Sequence, residues 1–163
     1  MDFLIFVAVG THPQQFNRLL EKVDELVAVK KITEKVFAQT GYTDLEPKNF
    51  NFKKFTSLKE FEELIARADI VITHGGEGVI GTALQYNKKI IIVPRLKKFG
   101  EHTNDHQLEL TKAIEREKRA LTVYDIEDLE KALKEIKTFK VIKGTGQKKI
   151  VKFLNEFVWR NFK

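Results

Sequence analysis

The sequence predicts an α/β fold built on a doubly wound parallel sheet, and three observations carry that prediction. Short runs of β-branched and aromatic residues recur, too apolar for edge strands and too short for helices. Between them lie segments whose apolar residues repeat at helical spacing. The two kinds alternate along the chain, which gives a parallel sheet wrapped on both faces. With 163 residues, the chain is long enough for one domain with a substantial core and too short for two.

Residues 3–9 are wholly apolar and form the first, central strand. The segment opens on Asp2 without a basic stretch, so it reads as a strand rather than a signal sequence. Gly10, Thr11 and His12 make the turn, and Pro13 suits the first position of a helix. Phe16, Leu19, Leu20, Val23, Leu26 and Val27 give that helix one buried stripe. Residues 35–39 form a second strand ended by Thr40 and Gly41. Residues 50–55 alternate Phe50, Phe52 and Phe55 with polar neighbours as a third. Ser57, with Glu60 three residues on, is a capping box for a helix turning Phe61, Leu64 and Ile65 inward.

Ile70, Val71 and Ile72 are a buried fourth strand. A glycine turn follows, the chain restarts as a helix over residues 79–84, and Gln85, Tyr86 and Asn87 end it. Residues 89–93, closed by Pro94, are the fifth strand, and residues 95–103 a polar loop. Asn104 or Asp105 caps a helix through Leu108, Leu110 and Ile114. Residues 121–123 are a sixth strand, and Asp125 starts a helix carrying Ile126, Leu129, Leu133 and Ile136. Lys143, Gly144, Thr145 and Gly146 break the chain before a last helix with Ile150, Val151, Phe153, Leu154, Phe157, Val158 and Phe162. The expected organisation is a domain over residues 1–138 and a basic amphipathic helix over residues 139–163, packing on the domain or on a partner.

Apolar residues make up 42% and charged residues 32%, as in a soluble globular protein, and no apolar run approaches the ~20 residues of a membrane span. The absence of cysteine excludes disulfides and thiol chemistry and suits a cytoplasmic protein. The formal net charge is +6, and residues 139–163 carry all of it, with seven Lys or Arg against Glu156 alone. Such a tail fits an anionic neighbour, a membrane surface or an acidic partner; a solvated helix face is the alternative.

The chemistry concentrates at the turn after the fourth strand. His74, Gly75, Gly76 and Gly78 lie between a buried strand and a helix, where glycine lets the backbone approach a ligand and the helix offers free N–H groups. That is an anion site, most simply a phosphate site; a tight turn that needs glycine only for packing is the alternative. In the first reading a β-branched residue at Gly76 would clash with the phosphate and resist a left-handed backbone. Ligands of such sheets bind beyond the C-terminal strand ends, where strand order reverses. With the first and fourth strands as neighbours, Gly10, Thr11 and His12 share one crevice with His74 to Gly78.

Gly76-Glu77-Gly78-Val79-Ile80-Gly81 also matches the dinucleotide pattern GxGxxG, but the next strand closes at Pro94 and Arg95 without the acid expected about 20 residues on. Arg95 would there meet a 2′-phosphate, and a nicotinamide-binding domain is the lesser alternative. His102 and His106, four apart, suit a metal on one helical face, yet no third ligand is placed beside them, so no metal is expected. Hydrogen bonding of sugar hydroxyls by Asn104, Asp105 and Gln107 is the better reading. Residues 143–149 lack the order of a P-loop.

Val9-Gly10-Thr11-His12 with Phe16-Asn17-Arg18-Leu19, then Gln39-Thr40-Gly41-Tyr42 and Glu46-Pro47-Lys48, resemble the first half of a family 28 glycosyltransferase C-terminal domain. Ala68-Asp69-Ile70-Val71-Ile72-Thr73-His74-Gly75-Gly76, Val93-Pro94-Arg95 and His106-Gln107 resemble its second half. The resemblance implies a Rossmann-like sheet of the GT-B C-terminal-half type. It further implies a UDP-sugar as donor substrate with no cofactor, and a role as the donor-binding subunit of a two-part transferase acting on a lipid-linked glycan. It implies a membrane-anchored acceptor-binding partner, a place at the cytoplasmic face of the membrane, and no nucleic acid. The donor diphosphate would lie between the Gly10–Thr11 loop and the His74–Gly75–Gly76 turn, with Asn104, Asp105, His106, Gln107 and Arg95 by the sugar or nucleotide. His12 and His74 are the candidates for catalysis. Family members usually hold the ribose with a glutamate six residues after the second glycine; here Thr82 stands at that place.

Overall fold

The computed structural model describes residues 2–141 together with residues 152, 154–156 and 160. Strands β1 (Leu4–Ala8), β2 (Lys35–Gln39), β3 (Asn51–Lys53), β4 (Ile70–Thr73), β5 (Lys89–Ile92) and β6 (Leu121–Thr122) form one sheet in the order β3-β2-β1-β4-β5-β6. Every pairing is parallel. The chain winds outward from β1 in one direction and then, from β4, in the other. The reversal falls between β1 and β4, which pair from Ile5 with Ile70 to Ala8 with Thr73. That is the switch point the sequence placed there.

Helices cover both faces, and the strand alternation decides which residues meet them. Ile5, Val7, Ile70, Ile72 and Ile91 point to one face, under α1 (Asn17–Ala28) and α5 (Leu129–Thr138). Phe6, Ala8, Val71, Ile90 and Ile92 point to the other, under α2 (Leu58–Arg67), α3 (Glu77–Gln85) and α4 (His106–Arg116). The central strands are buried on both sides, hence their unbroken apolar sequence.

Some boundaries differ from the sequence expectation. The first helix begins at Asn17, not Pro13. The Arg95 guanidinium accounts for the delay: it takes the carbonyls of Gln14 and Gln15 at 2.8 and 3.2 Å, while Thr43 Oγ1 accepts the Phe16 N–H at 3.1 Å. The third strand is only Asn51–Lys53; Phe50 and Phe52 pack on the core beneath α1, whereas Phe55 is exposed. Ser57 caps α2 as expected, its Oγ accepting the Glu60 N–H at 3.1 Å, but the Glu60 carboxylate turns to Lys53 Nζ at 2.6 Å. Asp125 accepts the Glu127 N–H at 3.0 Å and opens a 3₁₀ turn ahead of α5.

Lys152, Leu154, Asn155, Glu156 and Arg160 are helical. Leu154 is buried in the cluster beneath α3, its Cδ1 lying 3.9 Å from the place a Cβ would take on Gly81. The Lys143–Gly146 break and the residues Ile150, Val151, Phe153, Phe157, Val158 and Phe162 lie outside the described residues. Among the described residues no helix is long and apolar enough to cross a membrane.

Candidate functional site

A cleft of about 1020 Å³ opens across the C-terminal ends of β1 and β4. Gly10, Thr11 and His12 form one rim, His74, Gly75, Gly76 and Gly78 the floor, and Asn104, His106 and Gln107 a second rim at the start of α4. The cleft extends past Thr82 to Phe55, Ser57, Leu58 and Phe61.

Gln39 holds the first rim. Its Oε1 accepts the Gly10 N–H at 3.1 Å, and its Nε2 donates to the carbonyls of Gly10 and Lys54 at 3.0 and 2.9 Å. Gly10 sits at φ +79°, and a Cβ there would lie 2.3 Å from His74 Nε2. Both the backbone and the neighbour therefore require glycine.

The three glycines of the turn answer to three different neighbours. A Cβ on Gly75 would stand 2.7 Å from Gln107 Cβ, so this glycine lets the start of α4 pack against the turn. A Cβ on Gly76 would stand 2.0 Å from His74 Cε1. A Cβ on Gly78 would meet nothing within 4 Å and would project into open space. The left-handed backbone expected at Gly76 is not found: its φ is −80°, which any residue adopts. Its glycine is required by the imidazole of His74, which lies against both Gly10 and Gly76.

His74 is buried at 7% exposure, and among the described residues neither ring nitrogen has a partner in hydrogen-bond geometry. Gln107 lies close enough to favour the charged ring slightly, but burial and the nearby Arg95 charge dominate and push the pKa down to about 3. His74 is therefore neutral in any physiological buffer. Between the unfolded value of 6.5 and about 3, the unfolded chain takes up a proton that the native state refuses. Stability is then lost as pH falls through that window, by about 1.4 kcal/mol per pH unit from this group. Denaturant unfolding at pH 7 and pH 5 should show the wild type losing about 2 kcal/mol more than His74→Asn. Equal losses would place the burdened group elsewhere.

The four histidines of the chain, His12, His74, His102 and His106, all line this cleft. His12 and His102 stack, ring centroids 4.2 Å apart and planes 25° from parallel. His102 precedes α4 and His106 begins it, so the two do not share a helical face as a metal pair would. Asn104 Oδ1 accepts the His106 N–H at 3.0 Å, so Asn104, one residue ahead of the N-cap Asp105, orders the start of the helix and also lines the cleft. Gln107 is anchored by the Arg95 N–H, 3.2 Å from its Oε1.

Two expected binding residues face elsewhere. Arg95 has no exposed surface; its guanidinium donates to the carbonyls of Val9, Gln14, Gln15 and Glu101, which leaves it no reach into the cleft. Asp105 accepts the Lys97 N–H at 3.0 Å and lines a separate groove with Leu108, Lys112 and Tyr124. Thr82 does line the cleft, but its hydroxyl donates to the Gly78 carbonyl of its own helix at 2.9 Å. Glu101, buried at 1% exposure, pairs with Arg18 at 2.8 Å and also accepts the Leu96 N–H at 2.9 Å. The polar loop is thus folded around two buried charges. The sequence reading gave Gln39, Phe55, Leu58 and Phe61 no role at the site, and treated His102 only as a metal ligand. The signal for Gln39 was a long polar residue closing an otherwise apolar strand.

Residues 4–156 match the model of the glycosyltransferase family 28 C-terminal domain. The human UDP-N-acetylglucosamine transferase subunit ALG13 is 32% identical over 125 residues, covering 69% of this chain and 10% of the human protein. The solution structure of ALG13 superposes with a TM-score of 0.62 at 15% identity, covering 97% of each chain. The crystal structure of the kitacinnamycin glycosyltransferase gives a TM-score of 0.64 at 17% identity, covering 96% of this chain and 39% of that one. MurG of Acinetobacter baumannii gives 0.59 at 15% identity, with 96% and 50% covered. The chain therefore spans about a tenth of its curated human relative.

Proposed function

This chain belongs to the glycosyltransferase family 28 C-terminal domains, and from that membership we propose that it is the donor-binding half of a two-component glycosyltransferase taking a UDP-sugar in the cleft between β1 and β4. One observation carries the reading: α3 starts at the switch point with no side chain among the described residues capping it, which leaves its first-turn N–H groups to meet a diphosphate. The acceptor hydroxyl would displace UDP at the anomeric carbon. The new bond would join acceptor oxygen to sugar, the sugar–phosphate bond would break, the hydroxyl proton would pass to a base or to water, and the α3 terminus would stabilise the negative charge that develops on the departing UDP. The exposed Phe55 and Leu58 offer an apolar rim for a planar base.

A sheet domain of this kind closes over no substrate alone, so the acceptor would be brought by a further domain or, as the resemblance implies, by a second chain. The relatives of the resemblance favour a lipid-linked glycan and a membrane-anchored partner, which would hold this chain at the cytoplasmic face. The basic residues 139–163 suit such a place. A non-catalytic accessory subunit is the second reading, and the Thr82 hydroxyl favours it, being bound to Gly78 rather than free for a ribose.

Calorimetry against UDP-, GDP- and dTDP-sugars tests the donor assignment, with binding expected for the UDP-sugar. Thr82→Glu would add a charge-assisted hydrogen bond to the ribose and should tighten UDP about tenfold to a hundredfold, and UDP more than dUDP. Absence of any sugar-nucleotide binding would overturn the reading. Binding without transfer in the presence of the partner chain would favour the accessory role.

A further inference from the structure

The cleft proposed to hold a diphosphate is lined by no lysine or arginine among the described residues; its ionisable side chains are Glu77 and the four histidines. A diphosphate diester carries two negative charges, and one helix N-terminus is equivalent to only about half a positive charge. The missing counter-charge has one evident source in the His12–His102 stack.

The two imidazoles are held alike. The Gln14 N–H donates to His12 Nδ1 at 3.3 Å, and the Asn104 N–H donates to His102 Nδ1 at 3.3 Å. With Nδ1 accepting, the single proton of each neutral ring sits on Nε2. The stack thus brings two N–H donors to the cleft, one from the loop after β1 and one from the loop before α4.

We propose that His12 and His102 together form a diphosphate-binding element that takes up a proton as the anion arrives. The inference rests on the donor-cleft reading above. In the empty cleft protonation of either ring is disfavoured relative to a free imidazole. For His12, partial burial and then the Arg95 charge oppose protonation. For His102, partial burial, His12, Arg95 and His106 oppose it, with only Asp105 acting the other way. Among the remaining groups around the cleft, His74 stays neutral and Glu77 lines it from the start of α3. Two imidazolium rings 4.2 Å apart would repel each other strongly at so short a separation. The pair therefore accepts one proton, not two, and a diphosphate supplies the charge that makes the first favourable.

Titration of the full chain with UDP-N-acetylglucosamine, in two buffers of different ionisation enthalpy, counts the protons. This probe has no terminal phosphate monoester, so the ligand itself does not titrate near neutrality. The wild type should take up a large part of one proton at pH 7, and its affinity should fall about tenfold between pH 6 and pH 8. His12→Asn and His102→Asn should each weaken binding about tenfold at pH 6 and flatten that profile. Imidazole proton resonances of the wild type, followed with and without the probe, give the same answer should a variant not fold. Binding without proton uptake would overturn the inference and leave the donor cleft standing, as would uptake that persists in the double variant. No binding of the probe would overturn both.

Discussion

Arg95→Met is expected to cost about 4 kcal/mol or more of stability, and to lower the melting temperature by about 10 °C or more. The guanidinium joins four carbonyls, those of Val9, Gln14, Gln15 and Glu101, at 2.7 to 3.2 Å. Methionine fills the space but leaves these acceptors without donors, at about 1–3 kcal/mol for each buried group left unmade. Glu101 is not stranded, because Arg18 and the Leu96 N–H keep its carboxylate. Arg95→Lys should recover little, since a point charge cannot span acceptors that a planar fork reaches together. Thermal unfolding measures the effect. A melting temperature within 2 °C of wild type would mean that water or a rearranged loop serves the carbonyls instead.

Gly76→Ala is expected to weaken sugar-nucleotide binding at least about a hundredfold while the domain stays folded, which is about 2.7 kcal/mol or more. The added methyl would stand 2.0 Å from His74 Cε1, and the ring already abuts Gly10, where a Cβ would lie 2.3 Å from its Nε2. The imidazole would be driven into the cleft, where the diphosphate is proposed to lie. His74→Ala removes the obstacle, so Gly76→Ala should cost far less in that background. Calorimetry on the two single variants and the double variant completes the cycle. Equal loss in both backgrounds would show that the ligand, not His74, occupies the space beside Gly76.

Much of the fold was legible because the central strands are buried on both faces. Residues 3–9 and 70–72 have no polar position to blur their pattern, and β1, β2 and β4 formed where the sequence put them. From the strand–helix alternation alone, the crevice between Gly10 and Gly76 followed. What escaped was set by side chains distant in sequence. Pro13 satisfied every local rule for a helix start, and Arg95, 82 positions on, removed the carbonyls the first turn needed. Arg95 itself read as a binding residue because it opens the loop after the fifth strand, at the end of the sheet where ligands bind. Only the fold reveals that four carbonyls converge on it. The His12–His102 stack likewise joins two loops 90 residues apart, and no spacing rule links them.

The clamp that Gln39 places on Gly10 also bears on how a ligand would be received. Gly10 and the Gln39 amide exchange N–H and C=O in both directions, as residues on neighbouring antiparallel strands do. The sheet is in effect extended by one unit that belongs to a side chain. Glycine has the most conformational entropy to lose on being fixed, and fixing a residue costs about 1–2 kcal/mol. Here folding has already met that cost, so an arriving anion finds the loop after β1 in its final shape. Capture on that side is then a matter of encounter rather than of ordering, and changes in affinity made there should appear chiefly in the rate of release.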